Sequence, residues 1–156
     1  MREILFRGKR SPEFGTGWCY GVPYIDHEGD CIIATHCSKL VVLEETIGQY
    51  TGIEDKNGQK IFEGDIVDFF GMHGKIVNEY GAFGITVRDH IDYDLLDSNI
   101  PFGNKPDFVR NDNFVSLWEM WWNYEQDDNQ LFEVEVIGNI HDNPELLGGE
   151  ALENEL

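Results

Sequence analysis

The stretch QYTGIEDKNGQKIFEGDIV, Gln49 to Val67, decides the fold, because it reads as two β-strands joined by a turn and running into a third. Asp55-Lys56-Asn57-Gly58 sets Asn beside Gly between apolar flanks, and both tolerate the positive φ that a tight hairpin needs. Glu63-Gly64-Asp65 then interrupts the run before Ile66, Val67, Phe69 and Phe70, and a glycine inside a strand pattern marks a bulge or a bend. The expected element is a hairpin that turns a corner. Glu63 and Asp65 could be read as a carboxylate pair for acid/base chemistry, which needs two acids with separated pKa values. Their place at a turn favours another use, accepting hydrogen bonds from backbone amides.

On the N-terminal side, residues 2 to 7 alternate Ile4 and Phe6 against Glu3, Leu5 and Arg7, a short strand. Gly8 to Gly17 reads as a loop. Trp18 to Ile25 and Cys31 to Thr35 flank the polar turn Asp26-His27-Glu28-Gly29-Asp30, a second hairpin, and Leu40 to Leu43 is a further strand. Residues 1–48 are therefore expected to form a small β meander. His27, Cys31, His36 and Cys37 invite a zinc reading, but no C-x-x-C or H-x-x-x-H pair is present, and Cys31 lies in an apolar run where a thiol behaves as a small hydrophobe. No metal ligand set and no cofactor are expected.

On the C-terminal side, short strands at Val67–Phe70, Lys75–Tyr80 and Ile85–Arg88 alternate with glycine turns, the pattern of a barrel or sandwich. The glycines do not fit the G-x-x-x-x-G-K-[ST] phosphate cradle. Residues 89–113 break the pattern as an acidic insertion. Pro101 and Pro106 forbid a long helix there, and Asp92 and Asp94 supply only a fragment of a calcium loop. In the next segment, Phe114, Leu117, Trp118, Trp121 and Trp122 fall at the spacing of one helical face, so a short helix around 114–124 is expected, capped by Asn113. Alternation of Phe114, Trp118, Met120 and Trp122 leaves a strand open as well. Leu131 to Ile140 is an alternating strand, Asn143-Pro144-Glu145-Leu146-Leu147 one helical turn, and residues 148–156 an acidic tail.

The opening MREILFR, the stretch from Gln49 to Val67 and the late VIGNIHDNPELL together resemble the YopX-like proteins, found mostly in phages and prophages of bacteria. The resemblance covers the first ten or so residues and about 45–68 and 136–147. It implies a mainly β protein in which 49–147 hold a small SH3-type barrel packed with the N-terminal meander. It carries over no catalytic residue, because the family has no established activity.

Eleven basic against thirty acidic residues give a net charge of −19, a field that opposes direct binding of nucleic acid or anionic membrane. The surplus is local: residues 1–10 hold four basic and one acidic side chain, residues 89–135 two basic and twelve acidic. Three cysteines, no apolar run long enough to span a membrane and a charged, strand-like beginning point to a reducing cytoplasm, that of a host cell. Aromatic stripes serve cores and interfaces alike, and three tryptophans within five positions beside dense acid suit either. The candidate partner-binding residues are Asp89, Asp92, Asp94, Asp97, Trp118, Glu119, Trp121, Trp122, Asp127 and Asp128. The expected function is non-enzymatic: an interaction protein, in its sharper form an acidic mimic of nucleic acid that blocks the basic groove of a host nuclease or defence protein. The alternative is a homo-oligomeric phage assembly or accessory protein. An enzyme built on His73, His90 or His141 lacks a recognisable constellation.

Overall fold

The computed structural model describes residues 3–79, 81–124 and 126–148, so nearly all of the expected acidic tail lies outside it. Among the described residues are thirteen strands, two short α-helices and two 3-10 turns, a mainly β protein. The chain divides into two compact units, Met1–Gly52 and Ile53–Leu156.

In the first unit β1 (Phe6–Lys9), β2 (Trp18–Ile25), β3 (Cys31–Ala34) and β4 (Lys39–Val41) form the antiparallel meander. The first strand starts at Phe6, later than the alternation at 2–7 suggested, because pairing with β2 begins there and extends to Lys9. Asp26 closes the β2–β3 turn: its Oδ1 accepts the Glu28 and Asp30 N–H groups at 3.0 and 2.9 Å. The start of β5 (Gly48–Glu54) pairs with β1 through Gly48 and Gln49. Cys19, Cys31, Ile33 and Val42 make the core, with Phe6, Leu40 and Ile47 against it. Burial pushes the Cys19 and Cys31 thiols above their usual range, as suits sulfurs that pack as hydrophobes.

The second unit contains the Asn-Gly turn. Asp55 is fully buried, and its Oδ1 accepts the Asn57 and Gln59 N–H groups at 2.9 Å each. Gly58 (φ 77°) and Gly64 (φ 92°) stand where the chain reverses, in the left-handed region that glycine enters without penalty. On either side of Gly64 lie β6 (Lys60–Phe62) and β7 (Asp65–Phe69), and Asp65 Oδ2 accepts the Phe62 N–H at 2.7 Å, the turn role expected of this acid. Then come β8 (Met72–Glu79), β9 (Ala82–Thr86), α1 (Tyr93–Ser98), β10 (Phe114–Ser116), α2 (Leu117–Asn123), β11 (Gln126–Asp127), β12 (Gln130–Leu131) and β13 (Val134–Asn139). Five of these strands form an antiparallel sheet in the order β10-β9-β8-β7-β13. No pair joins β10 to β13 among the described residues, so of the implied barrel the pairing traces an open sheet.

Three local expectations are corrected. The helix expected over 114–124 is only Leu117–Asn123, because Phe114–Ser116 continue the sheet, with Val115 fully buried opposite Ile85. Its cap is Ser116 rather than Asn113: Ser116 Oγ accepts the Glu119 N–H at 3.0 Å, and the Glu119 carboxylate accepts the Ser116 N–H at 3.3 Å, a reciprocal capping box. The late strand begins at Val134, because the chain turns at Phe132 and Glu133. The core joins Val67, Phe69, Ile76, Ile85, Val115 and Val134 of the sheet to Leu96 of α1, Leu117 and Met120 of α2, and Tyr124.

Candidate protein-interaction surface

Helix α2 begins with a capping box and has seven residues, two turns, so its sides are set by which residues meet the sheet. Leu117, Met120 and Asn123 are buried. That choice turns Trp118 and Trp122 outward, 63% and 58% exposed, and splits the aromatic stripe that the spacing alone placed on one face. Trp121 is half-buried against the core, and its Nε1 donates to the Asp128 carbonyl at 2.8 Å. The Trp118 ring stacks on Trp121 (5.0 Å, 17°) and lies 6.1 Å from Trp122 (29°). The indoles therefore form one slab, anchored through Trp121 and open at Trp118 and Trp122.

A strap of chain runs beside this slab. Asn123 holds its backbone from both sides: Oδ1 accepts the Asp107 N–H at 2.7 Å, and Nδ2 donates to the Asp107 carbonyl at 3.0 Å and the Glu119 carbonyl at 2.8 Å. Glu119 Oε2 accepts the Val109 N–H at 2.7 Å, while its Oε1 serves Ser116. The Phe108 ring enters between Tyr93 (5.9 Å) and Tyr124 (6.1 Å). Between strap and helix lies a groove of about 310 Å³ lined by Asp107, Val109, Trp118, Glu119 and Trp122.

Of the ten candidate residues, Trp118, Glu119 and Trp122 meet in this groove, and Trp121 supports it. Asp92 caps α1 through the Leu95 N–H (3.1 Å), Asp94 is exposed in the same helix, and Asp97 is bound by Arg110. Asp89, Asp127 and Asp128 are exposed outside the groove lining. Sequence reasoning missed Asp107 and Val109, which sit in an extended segment without periodicity; the only clue was the polar Asn123 on an otherwise apolar helix side. The histidine and cysteine quartet is not gathered. Among the described residues the side chains grouped closely enough to share a cation are Asp26, Glu28 and Asp30. His73, read as a candidate base, sits 3.2 Å from Asp68 Oδ2 and 3.2 Å from the Leu146 carbonyl, bracing the 3-10 turn Pro144–Leu147.

Beneath the groove, Tyr124 donates its hydroxyl to the Leu96 carbonyl at 2.6 Å. Burial, then the charges of Glu133 and Asp97, push this phenol well above its usual value. A phenol raised on folding contributes stability that is present below its unfolded value of about 10 and is lost as pH climbs further. Tyr124→Phe is therefore expected to cost about 1 kcal/mol at pH 8. Thermal midpoints at pH 8 and at about pH 11 should show that gap narrowing at the higher pH. A constant gap means the hydroxyl is not the group responsible.

These elements define a mainly β protein whose second unit bears an aromatic and acidic surface groove. The chain belongs to the YopX family: the model of that family, described as YopX protein, matches residues 22–148. It is similar to the crystal structure of protein EF1440 from Enterococcus faecalis, with 21% identity, 94% of this chain and 99% of that one covered, and a TM-score of 0.47. No curated protein matches it. No helix among the described residues is long and apolar enough to cross a membrane.

Proposed function

We propose that this chain is a non-enzymatic, phage-encoded interaction protein of the host cytoplasm, which grips a basic protein partner at the groove between α2 and the 107–109 strap. The observation that carries this reading is the exposure of Trp118 and Trp122 beside Asp107 and Glu119. Tryptophan dominates the anchoring positions of protein interfaces, and an indole with nearby carboxylates suits an arginine or lysine side chain, which stacks on the ring and pairs with the acid. The finer form is an inhibitor that occupies the basic nucleic-acid groove of a nuclease or defence protein. Its support is the two-to-twelve charge imbalance of residues 89–135, which would steer such an encounter.

The test is capture of basic nucleic-acid enzymes from host lysate by the wild-type chain and by the Trp118→Ala/Trp122→Ala variant. Each indole leaves roughly 100 Å² to be covered, about 2.5 kcal/mol at 25 cal/mol per Å², so the variant should bind at least about 100-fold more weakly. Bound enzyme should also be released as salt screens the charges. Equal capture by both chains removes the groove from the reading, and capture indifferent to salt removes the acidic mimic.

A further inference from the structure

The four strands of the first unit, β1 to β4, contain nineteen residues and not one Asp or Glu, in a chain that has thirty. Strand geometry alone does not account for this, since β5, β7 and β8 carry Glu54, Asp65, Asp68 and Glu79. Successive side chains alternate across a sheet, so Cys19 and Ile33 pointing into the core send Trp18, Tyr20, Val22 and Tyr24 to the other side. Register places cations among them: Lys9 faces Trp18, Arg7 faces Tyr20, and Lys39 joins Val22 through Ala34. Tyr20, Val22 and Tyr24 are 48%, 58% and 38% exposed, and the Arg7 guanidinium lies 4.7 Å from the centre of the Trp18 ring. The strands thus turn outward aromatic residues and the cations Lys9 and Lys39, with no acid of their own, while Arg7 is itself buried beneath its ring partner.

The charge divides along the same boundary. Residues 1–52 hold five basic and seven acidic side chains, a net of −2, whereas residues 53–156 hold six and twenty-three, a net of −17. We propose that the outer face of the β1–β4 sheet receives the acidic, tryptophan-bearing groove of a second copy of this chain, in a head-to-tail contact. The proposal rests on the groove being a docking surface, as read above, and assigns it an occupant. Charge selects this pairing over the symmetric one: a head-to-tail contact sets the −17 unit against a nearly neutral one of −2 whose β1–β4 strands carry cations and no acid, whereas a groove-to-groove contact would set −17 against −17. Lys39, exposed on this face, meets the exposed Asp107 of the groove, while tyrosine rings meet indoles in the offset or edge-on geometry that aromatic pairs prefer. A contact between two different surfaces leaves one of each unused, so association continues until a ring closes or a filament grows.

Light scattering during size exclusion, up to about 1 mM chain so that a weak contact is populated, tests this with three proteins. Wild type should form species larger than a dimer. Val22→Glu/Lys39→Glu, which plants acid on the sheet face, and Trp118→Ala/Trp122→Ala, which strips the groove, should each remain monomeric. Mixed in equal amounts, the two variants should pair one to one and stop, because each retains the face the other lacks. A monomeric wild type, an inert mixture, or a sheet-face variant that associates like wild type overturns the proposal. If wild type is monomeric while host-enzyme capture still depends on Trp118 and Trp122, only the second-copy assignment falls; if both fail, the groove is not a docking surface. Anisotropy of a labelled single-stranded oligonucleotide, binding wild type but not the Val22→Glu/Lys39→Glu chain, assigns the face to nucleic acid and also overturns it. Should that double variant misfold by circular dichroism, Lys39→Glu alone, exposed on the strand at the end of the meander, replaces it.

Discussion

Asp55→Ala is expected to lower stability by about 3 kcal/mol, a large part of the 5–15 kcal/mol that holds a domain folded. The side chain is fully buried, and it satisfies three backbone N–H groups: Asn57 and Gln59 within the turn, and Val136 on β13, all at 2.9 Å. Alanine leaves all three without this acceptor. The residues at Asn57 and Gln59 are exposed, so water replaces much of what the turn loses; the half-buried Val136 N–H bears the larger penalty. Asp55→Asn keeps an oxygen for the turn but sets an NH₂ against the Val136 N–H, so its cost should fall between wild type and alanine. Urea unfolding measures the order: at a slope of about 1–3 kcal/mol per M, the alanine variant should shift the midpoint by at least 1 M. A loss under about 1 kcal/mol would mean that β13 is held by its ladder alone.

This residue also shows how far the sequence could be read. Asp-Lys-Asn-Gly announced a hairpin turn through local chemistry, and the structure has it. What no local rule contains is the third bond, which reaches Val136, eighty-one positions along the chain. The same division holds at α2. Helical spacing placed Trp118, Trp121 and Trp122 with Leu117 on one side, because periodicity reports which residues share a face but not which face is covered. The sheet decides that, by accepting Val115 as an edge-strand residue and so starting the helix late. Ser116 and Glu119 carried the correction within the sequence, since S-x-x-E is a capping box, and three tryptophans masked it. The groove was half legible for the same reason: its helix wall came from a periodic segment, its strap wall from one with no period. The acid-free face of β1 to β4 was legible only as an uneven charge balance until strand register put the cations beside the tyrosines.

Asn123 is the other residue on which a large effect should turn, because its carboxamide both accepts from and donates to the backbone of one residue, Asp107. Asn123→Asp keeps the Asp107 N–H bond but places a second oxygen against the Asp107 and Glu119 carbonyls, where the amide nitrogen stood at 3.0 and 2.8 Å. In a site this buried the carboxyl fits only when protonated, so folding raises its pKa above the unfolded value of about 4. Its favourable contribution is then present below pH about 4 and disappears as pH rises through the folded value. At pH 7 the strap should leave α2, taking Asp107 and Val109 from the groove and Phe108 from between its tyrosines. Detachment limits the cost to the strap's own contacts, about 2–4 kcal/mol rather than the full penalty of a buried charge. Hydrogen exchange at the Asp107 and Val109 amides reads the event directly, rising by at least about 30-fold at pH 7. Asn123→Ala should open the strap too, but without recovery in acid, since it has nothing to protonate. Recovery in the aspartate variant alone ties the groove wall to this one amide; equal protection at Asp107 in Asn123→Ala and wild type would show that Phe108 and Glu119 hold the strap without it.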